Sequence, residues 1–151
     1  MKFNYTLLLF LCTFYVKAQM SEFNTKKGYV AEGYDVVSYF NEKTPILGNK
    51  KYQAIFEKAA FKFASAENLE LFKANPQKYI PQYGGFCAYA VAAKNTKMDI
   101  DAESYEIRDG KLYLFYSSWF GNKLENWQKE DTKKLQVQGD KNWEYLKNKI
   151  N

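Results

Sequence analysis

The spacing of hydrophobic and polar positions changes several times along this chain, and each change marks an element. Two alternating runs, 104–108 and 111–116, flank Asp109-Gly110. Both turn residues tolerate the positive φ of a two-residue type I′ turn, so a β-hairpin is predicted there. The alternation over Tyr52–Phe56 and again over Ala60–Ala64, with a short polar link between, predicts a second hairpin. Helical spacing takes over at Ser65, an N-cap with Glu67 in the first turn, and runs through Leu69, Leu71 and Phe72 to a stop at Asn75-Pro76. Pro76 opens another short turn through Tyr79.

Four further elements follow from the same reasoning. Asp35 is placed as the N-cap of a short turn that points Val36, Val37, Tyr39 and Phe40 inward. The alanines at 88, 90, 92 and 93 favour a helix from about Gly85 to Lys94, although their alternation also suits a strand. Ser118 to Lys134 reads as a helix with Trp119, Leu124 and Trp127 on or near one face despite Gly121. Asp140 reads as the cap of a last helix carrying Trp143, Leu146 and Ile150. The fold class expected is α+β: a small antiparallel sheet from β-hairpins, packed with several short helices.

The amino terminus changes the picture of where the chain works. One early lysine, an almost wholly apolar stretch from Tyr5 to Val16, and a small residue at Ala18 make a secretory signal peptide over residues 1–18, cleaved after Ala18. The apolar stretch is too short for a transmembrane helix, so no stable membrane anchor is expected. The protein is therefore expected to be exported, periplasmic or secreted, with a flexible arm at 19–28 and a single domain over 29–151. Its formal net charge is +5, two of the lysines lie in the leader, and the rest are interspersed with acids. That pattern is a solvated surface, and no nucleic-acid partner is expected.

Composition then removes whole classes of chemistry. Histidine is absent, which excludes Ser-His-Asp, Cys-His and His-based zinc sites. No Gly-x-Ser-x-Gly elbow or phosphate-binding glycine loop is present, so hydrolase or transferase activity is not expected. Cys12 would leave with the leader, and Cys87 remains as the one thiol, with no intramolecular disulfide open to it. It follows Tyr83-Gly84-Gly85-Phe86 and precedes Ala88-Tyr89. A paired glycine allows close approach of a ligand, and a cysteine in the first turn of a helix is expected to have a lowered thiol pKa. The competing reading is a small buried hydrophobe packed between Phe86 and Tyr89.

Five stretches in order resemble the exported branch of the YHS-domain family: 33–40 (GYDVVSYF), 63–72 (FASAENLELF), 75–79 (NPQKY), 83–89 (YGGFCAY) and 109–114 (DGKLYL). The resemblance spans nearly all of the expected mature chain. It implies a small α+β module of the kind associated with heavy-metal handling, notably beside copper-transporting ATPases. Metal-type members of the family carry three cysteines where this chain has Ser38, Ala64 and Asn68. The thiolates that such a site uses for soft metals are therefore missing here.

Three functions stay open. The first is a non-enzymatic binding module holding a copper-type metal ion or a small ligand between the Gly84-Gly85-Cys87 turn and the Tyr34-Asp35 turn. Cys87 would be the soft ligand and Asp35 a hard one, Tyr34, Tyr83 and Tyr89 would form the walls, and Met98, a backbone oxygen or a second subunit would complete the shell. The second is a thiol redox protein, in which Cys87 is oxidised and an external redox partner reduces it. The third is a structural or interaction module without small-molecule chemistry.

Overall fold

The computed structural model describes residues 22–42 and 44–149, and the expected leader, Cys12 and Ile150 lie outside them. The fold is α+β. β1 (Thr25–Lys26), β2 (Tyr29–Val30), β3 (Asn49–Phe56) and β4 (Ala59–Phe63) form one sheet in the order β1-β2-β4-β3. The β3–β4 hairpin stands where alternation placed it, closed by Glu57 and Lys58 at φ 46° and 65°. β2 joins β4 in parallel at Tyr29 and Ala60, so the sheet is mixed, not purely antiparallel. The expected loose arm is not loose from residue 22 on. β1 pairs with β2, and Phe23 is buried with its ring 5.5 Å from Phe61.

α1 (Ser38–Asn41) carries buried Tyr39 and half-buried Phe40, and α2 (Ala66–Ala74) and α3 (Pro76–Tyr79) follow the predicted signals. Ser65 Oγ accepts the Asn68 N–H at 3.1 Å, as an N-cap does, and Pro76 occupies the first turn of α3. Phe72 of α2 lies 4.9 Å from Phe61 and 5.0 Å from Phe63, which locks the helix to β4. The second hairpin is β5 (Asp101–Arg108) with β6 (Lys111–Phe115). Asp109 and Gly110 both have positive φ, 52° and 71°, as the type I′ turn requires.

Downstream the sequence reading needs two corrections. Residues 118–134 do not form one helix. Ser117–Ser118 (β7) and Gly121–Asn122 (β8) make a short hairpin with Trp119 and Phe120 at its tip, and helix α5 (Lys123–Lys129) begins only after it. Gly121 sits at φ 150°, which breaks helical geometry, and Asn122 Oδ1 caps α5 by accepting the Leu124 N–H at 2.9 Å. Nor does Asp140 cap the last helix. α6 runs Thr132–Leu146 with Asp131 as its cap, and Asp140 lies inside it. Gly139 survives mid-helix because the Tyr83 ring occupies the space beside it. A Cβ there would stand 2.6 Å from the Tyr83 hydroxyl oxygen.

The core continues from β4 and α2 to β6, α4 (Ala88–Lys94), α5 and α6, where Trp127 lies 5.3 Å from Tyr113 and 5.5 Å from Phe115. The Trp127 Nε1–H donates to Glu106 at 3.2 Å, and Gln128 and Arg108 donate to the same carboxylate. Burial pushes the Glu106 pKa up, but these three donors outweigh it and hold the group below the usual carboxylate value. A lowered folded pKa contributes stability that is present above the free-glutamate value and lost as pH falls through the folded one. Glu106→Gln is therefore expected to flatten the acid limb of stability below about pH 4, read from denaturant midpoints at stepped pH.

Candidate functional site

The run from Tyr83 to Cys87 begins with three consecutive left-handed residues. Tyr83, Gly84 and Gly85 have φ of 53°, 60° and 79°, a reversal that delivers the chain into α4. Each glycine is there because of packing. A Cβ on Gly84 would overlap the Glu22 carbonyl oxygen and stand 3.0 Å from Trp143 Cη2. On Gly85 it would meet Pro81 Cγ at 3.2 Å. The amino-terminal segment straps over both: the Asn24 N–H donates to the Gly84 carbonyl at 2.8 Å, and Asn24 Nδ2 to that of Gly85 at 3.3 Å. The space that the sequence suggested for a ligand is filled by this chain's own backbone.

Cys87 occupies the N-cap position of α4, which starts at Ala88 and not at Gly85. Its N–H donates to the Met98 carbonyl at 2.9 Å, and its carbonyl accepts from Val91 at 3.0 Å. The residue is fully buried, at 0% exposure. Burial raises its thiol pKa. Backbone N–H groups of Tyr116, Ala90 and Tyr89 and the charge of Lys123 pull the other way without overcoming it. The expected lowering is thus reversed. A two-turn helix offers little dipole, and removing water from a thiolate costs more than that dipole returns.

Asp35 is equally enclosed, at 0% exposure. Its Oδ1 accepts the Val37 N–H at 2.9 Å, while Oδ2 accepts the Ala64 N–H at 2.8 Å and Asn68 Nδ2 at 2.7 Å. The side chain holds the entry to α1 and pins it to the end of β4 and the first turn of α2. Val37 takes the formal cap position. Cys87 takes its hydrogen bonds and electrostatic neighbours from a different set, α4, Met98, Tyr116 and Lys123.

The tyrosines expected as walls are each committed elsewhere. The Tyr34 hydroxyl donates to Glu103 at 3.0 Å and that of Tyr89 to Glu130 at 2.6 Å, and these bonds raise both phenol pKa values. Buried Tyr83 sets its hydroxyl 3.1 Å from Asp140 Oδ1 and 3.3 Å from the Gln136 carbonyl, and burial, then the Asp140 charge, pushes its pKa far up. Tyr83, Gly84, Gly85, Cys87 and Tyr89 thus share one continuous corner, and Tyr34 and Asp35 belong to another set of contacts.

Against known proteins, the chain matches no family model, no curated sequence and no solved structure. The donor set can still be tested against a copper-type ion. Among the described residues no three His, Cys, Asp or Glu side chains gather closely enough to share a metal. The Asp35 oxygens already hold three donors, and Cys87 is fully buried, with burial raising its thiol pKa. These residues do not fit the ion.

Two features escaped the sequence reading. One is the anchoring by asparagines: Asn24 at the glycine pair, Asn68 at Asp35, and Asn142, whose Nδ2 donates to the Val91 and Ala92 carbonyls at 2.8 and 3.1 Å at the end of α4. The other is the tip of the β7–β8 hairpin, where Trp119 and Phe120 are each 97% exposed. Gly121 was the only signal for it. Among the described residues no helix is long and apolar enough to cross a membrane.

Proposed function

We propose that this chain is an exported, non-enzymatic interaction module of the YHS type, which acts through its outer surface and uses Cys87 for packing. The observation that carries the reading is the complete burial of Cys87 together with its raised thiol pKa. Burial that disfavours the thiolate makes the sulfur a poorer nucleophile and a poorer soft ligand. The family and the export rest on the five motif stretches and the leader. The glycine pair and Asp35, which looked like parts of a binding pocket, have structural duties that account for them.

Thiol-specific alkylation followed by mass tests this. Native protein is expected to stay unmodified over a time in which denaturant-unfolded protein reacts completely, and to take up no copper(I) at equimolar metal. Copper(I) bound one to one and lost in Cys87→Ala would overturn the reading. A second reading, thiol redox chemistry, is favoured by one feature alone, the three backbone N–H groups facing the sulfur. It requires fast oxidation of native Cys87 by peroxide.

A further inference from the structure

The β7–β8 tip places the most exposed large apolar groups among the described residues where nothing in the fold needs them. Trp119 and Phe120 are 97% exposed on consecutive positions, between small polar residues Ser117, Ser118, Gly121 and Asn122. The stalk beneath is fixed. Ser117 pairs with Asn122 and Ser118 with Gly121, the Lys123 N–H donates to the Tyr116 carbonyl at 2.9 Å, and Ser104 Oγ bonds Asn122 Oδ1 at 3.0 Å. At the tip itself the Phe120 N–H donates to Ser118 Oγ at 3.2 Å. One of the two tip N–H groups is thus satisfied internally, which lowers the cost of entering a low-dielectric surface.

We infer that this hairpin is a lipid-interface wedge, with Trp119 and Phe120 entering the headgroup and acyl boundary of an anionic bilayer surface. The inference rests on the reading of the protein as a surface-acting module and names its partner. Two considerations select lipid over another protein or a second copy. Two aromatic side chains supply roughly 300–500 Å² of contact, short of the ~800 Å² per side of a standard protein interface, and small polar neighbours add no apolar surround. Nor does charge at the tip oppose anionic headgroups, since no acidic residue occurs between Asp109 and Glu125. Trp is also the residue best suited to a membrane interface, with an apolar body and one polar N–H.

The test is co-sedimentation of the leader-free protein with vesicles of phosphatidylglycerol and phosphatidylcholine, alongside pure phosphatidylcholine. Wild type is expected to partition onto the anionic vesicles with a blue shift in tryptophan emission. Trp127 is buried and Trp143 half-buried, so Trp119 dominates that shift. The double substitution Trp119→Ser/Phe120→Ser should lower the partition coefficient about tenfold or more, with retained circular dichroism. Equal partitioning of wild type and the double variant, or none at millimolar lipid, overturns the inference. So does a concentration-dependent dimer that the double variant abolishes. Alkylation of Cys87 in the same samples separates the two proposals: a protected thiol without vesicle binding sinks the wedge and leaves the module reading standing.

Discussion

Gly84→Ala is expected to destabilise the protein by about 2–5 kcal/mol, read as a shift in denaturant midpoint without loss of native secondary structure in water. Two effects add. Alanine at a φ of +60° costs about 1–2 kcal/mol in a left-handed conformation. Its methyl group would also overlap the Glu22 carbonyl oxygen, a backbone atom that cannot rotate away, and press on Trp143 at 3.0 Å. The amino-terminal strap must lift or α6 must shift, at roughly 1–3 kcal/mol. Gly85→Ala should cost less, because its new methyl meets only Pro81 Cγ at 3.2 Å, an atom of a ring that can pucker. A glycine pair kept open for a ligand would give the opposite result, with small losses of stability at both positions.

Asp35→Ala is the second large effect, expected at about 3–5 kcal/mol by the same measurement. The carboxylate is fully buried and accepts from Val37, Ala64 and Asn68, and alanine leaves all three donors without an acceptor. Each buried donor left unpaired costs about 1–3 kcal/mol, and their shared neighbourhood makes the sum less than additive. Asp35→Asn should recover only part of the loss. Two donors converge on Oδ2 and one on Oδ1, so either orientation of the amide sets an NH₂ against an N–H. If Asp35 served as a metal ligand, the metal-free protein would tolerate its removal with little change in stability.

Local chemistry carried much of the fold. Ser65, the Asn75-Pro76 stop and the Asp109-Gly110 turn each determine their surroundings within a few residues, and each stands as the sequence reading placed it. The failures have a common cause in contacts between distant positions. Gly139-Asp140 has the composition of a helix boundary, but the glycine makes room for Tyr83, 56 positions earlier, and Asp140 bonds to the hydroxyl of that same ring. Trp119 read as part of one helix face with Leu124 and Trp127, because large apolar side chains are usually buried. Only the break at Gly121 argued otherwise.

The candidate site was legible as a location and not as a chemical environment. The sequence brought Gly84, Gly85 and Cys87 together at the start of a helix. The Cys87 N–H is taken by Met98, the sulfur faces Tyr116 and Lys123, and what fills the glycine corner comes from Glu22 and Trp143. None of these has a local signature near residue 87. A short helix and a cysteine suggest an activated thiol only while water reaches the sulfur.

Cys87 is fully buried, with burial raising its thiol pKa, and titration of the thiol itself is the direct test. In isotope-labelled, leader-free protein the Cys87 Cβ carbon shift is followed against pH. A raised folded pKa favours the neutral thiol, so its contribution to stability is complete below the free-thiol value of about 8.5 and is lost as pH rises through the folded value. The account predicts no thiolate at neutral pH and a midpoint above about 8.5, or unfolding before the thiol ionises. A midpoint at or below neutral pH in the folded protein would contradict it.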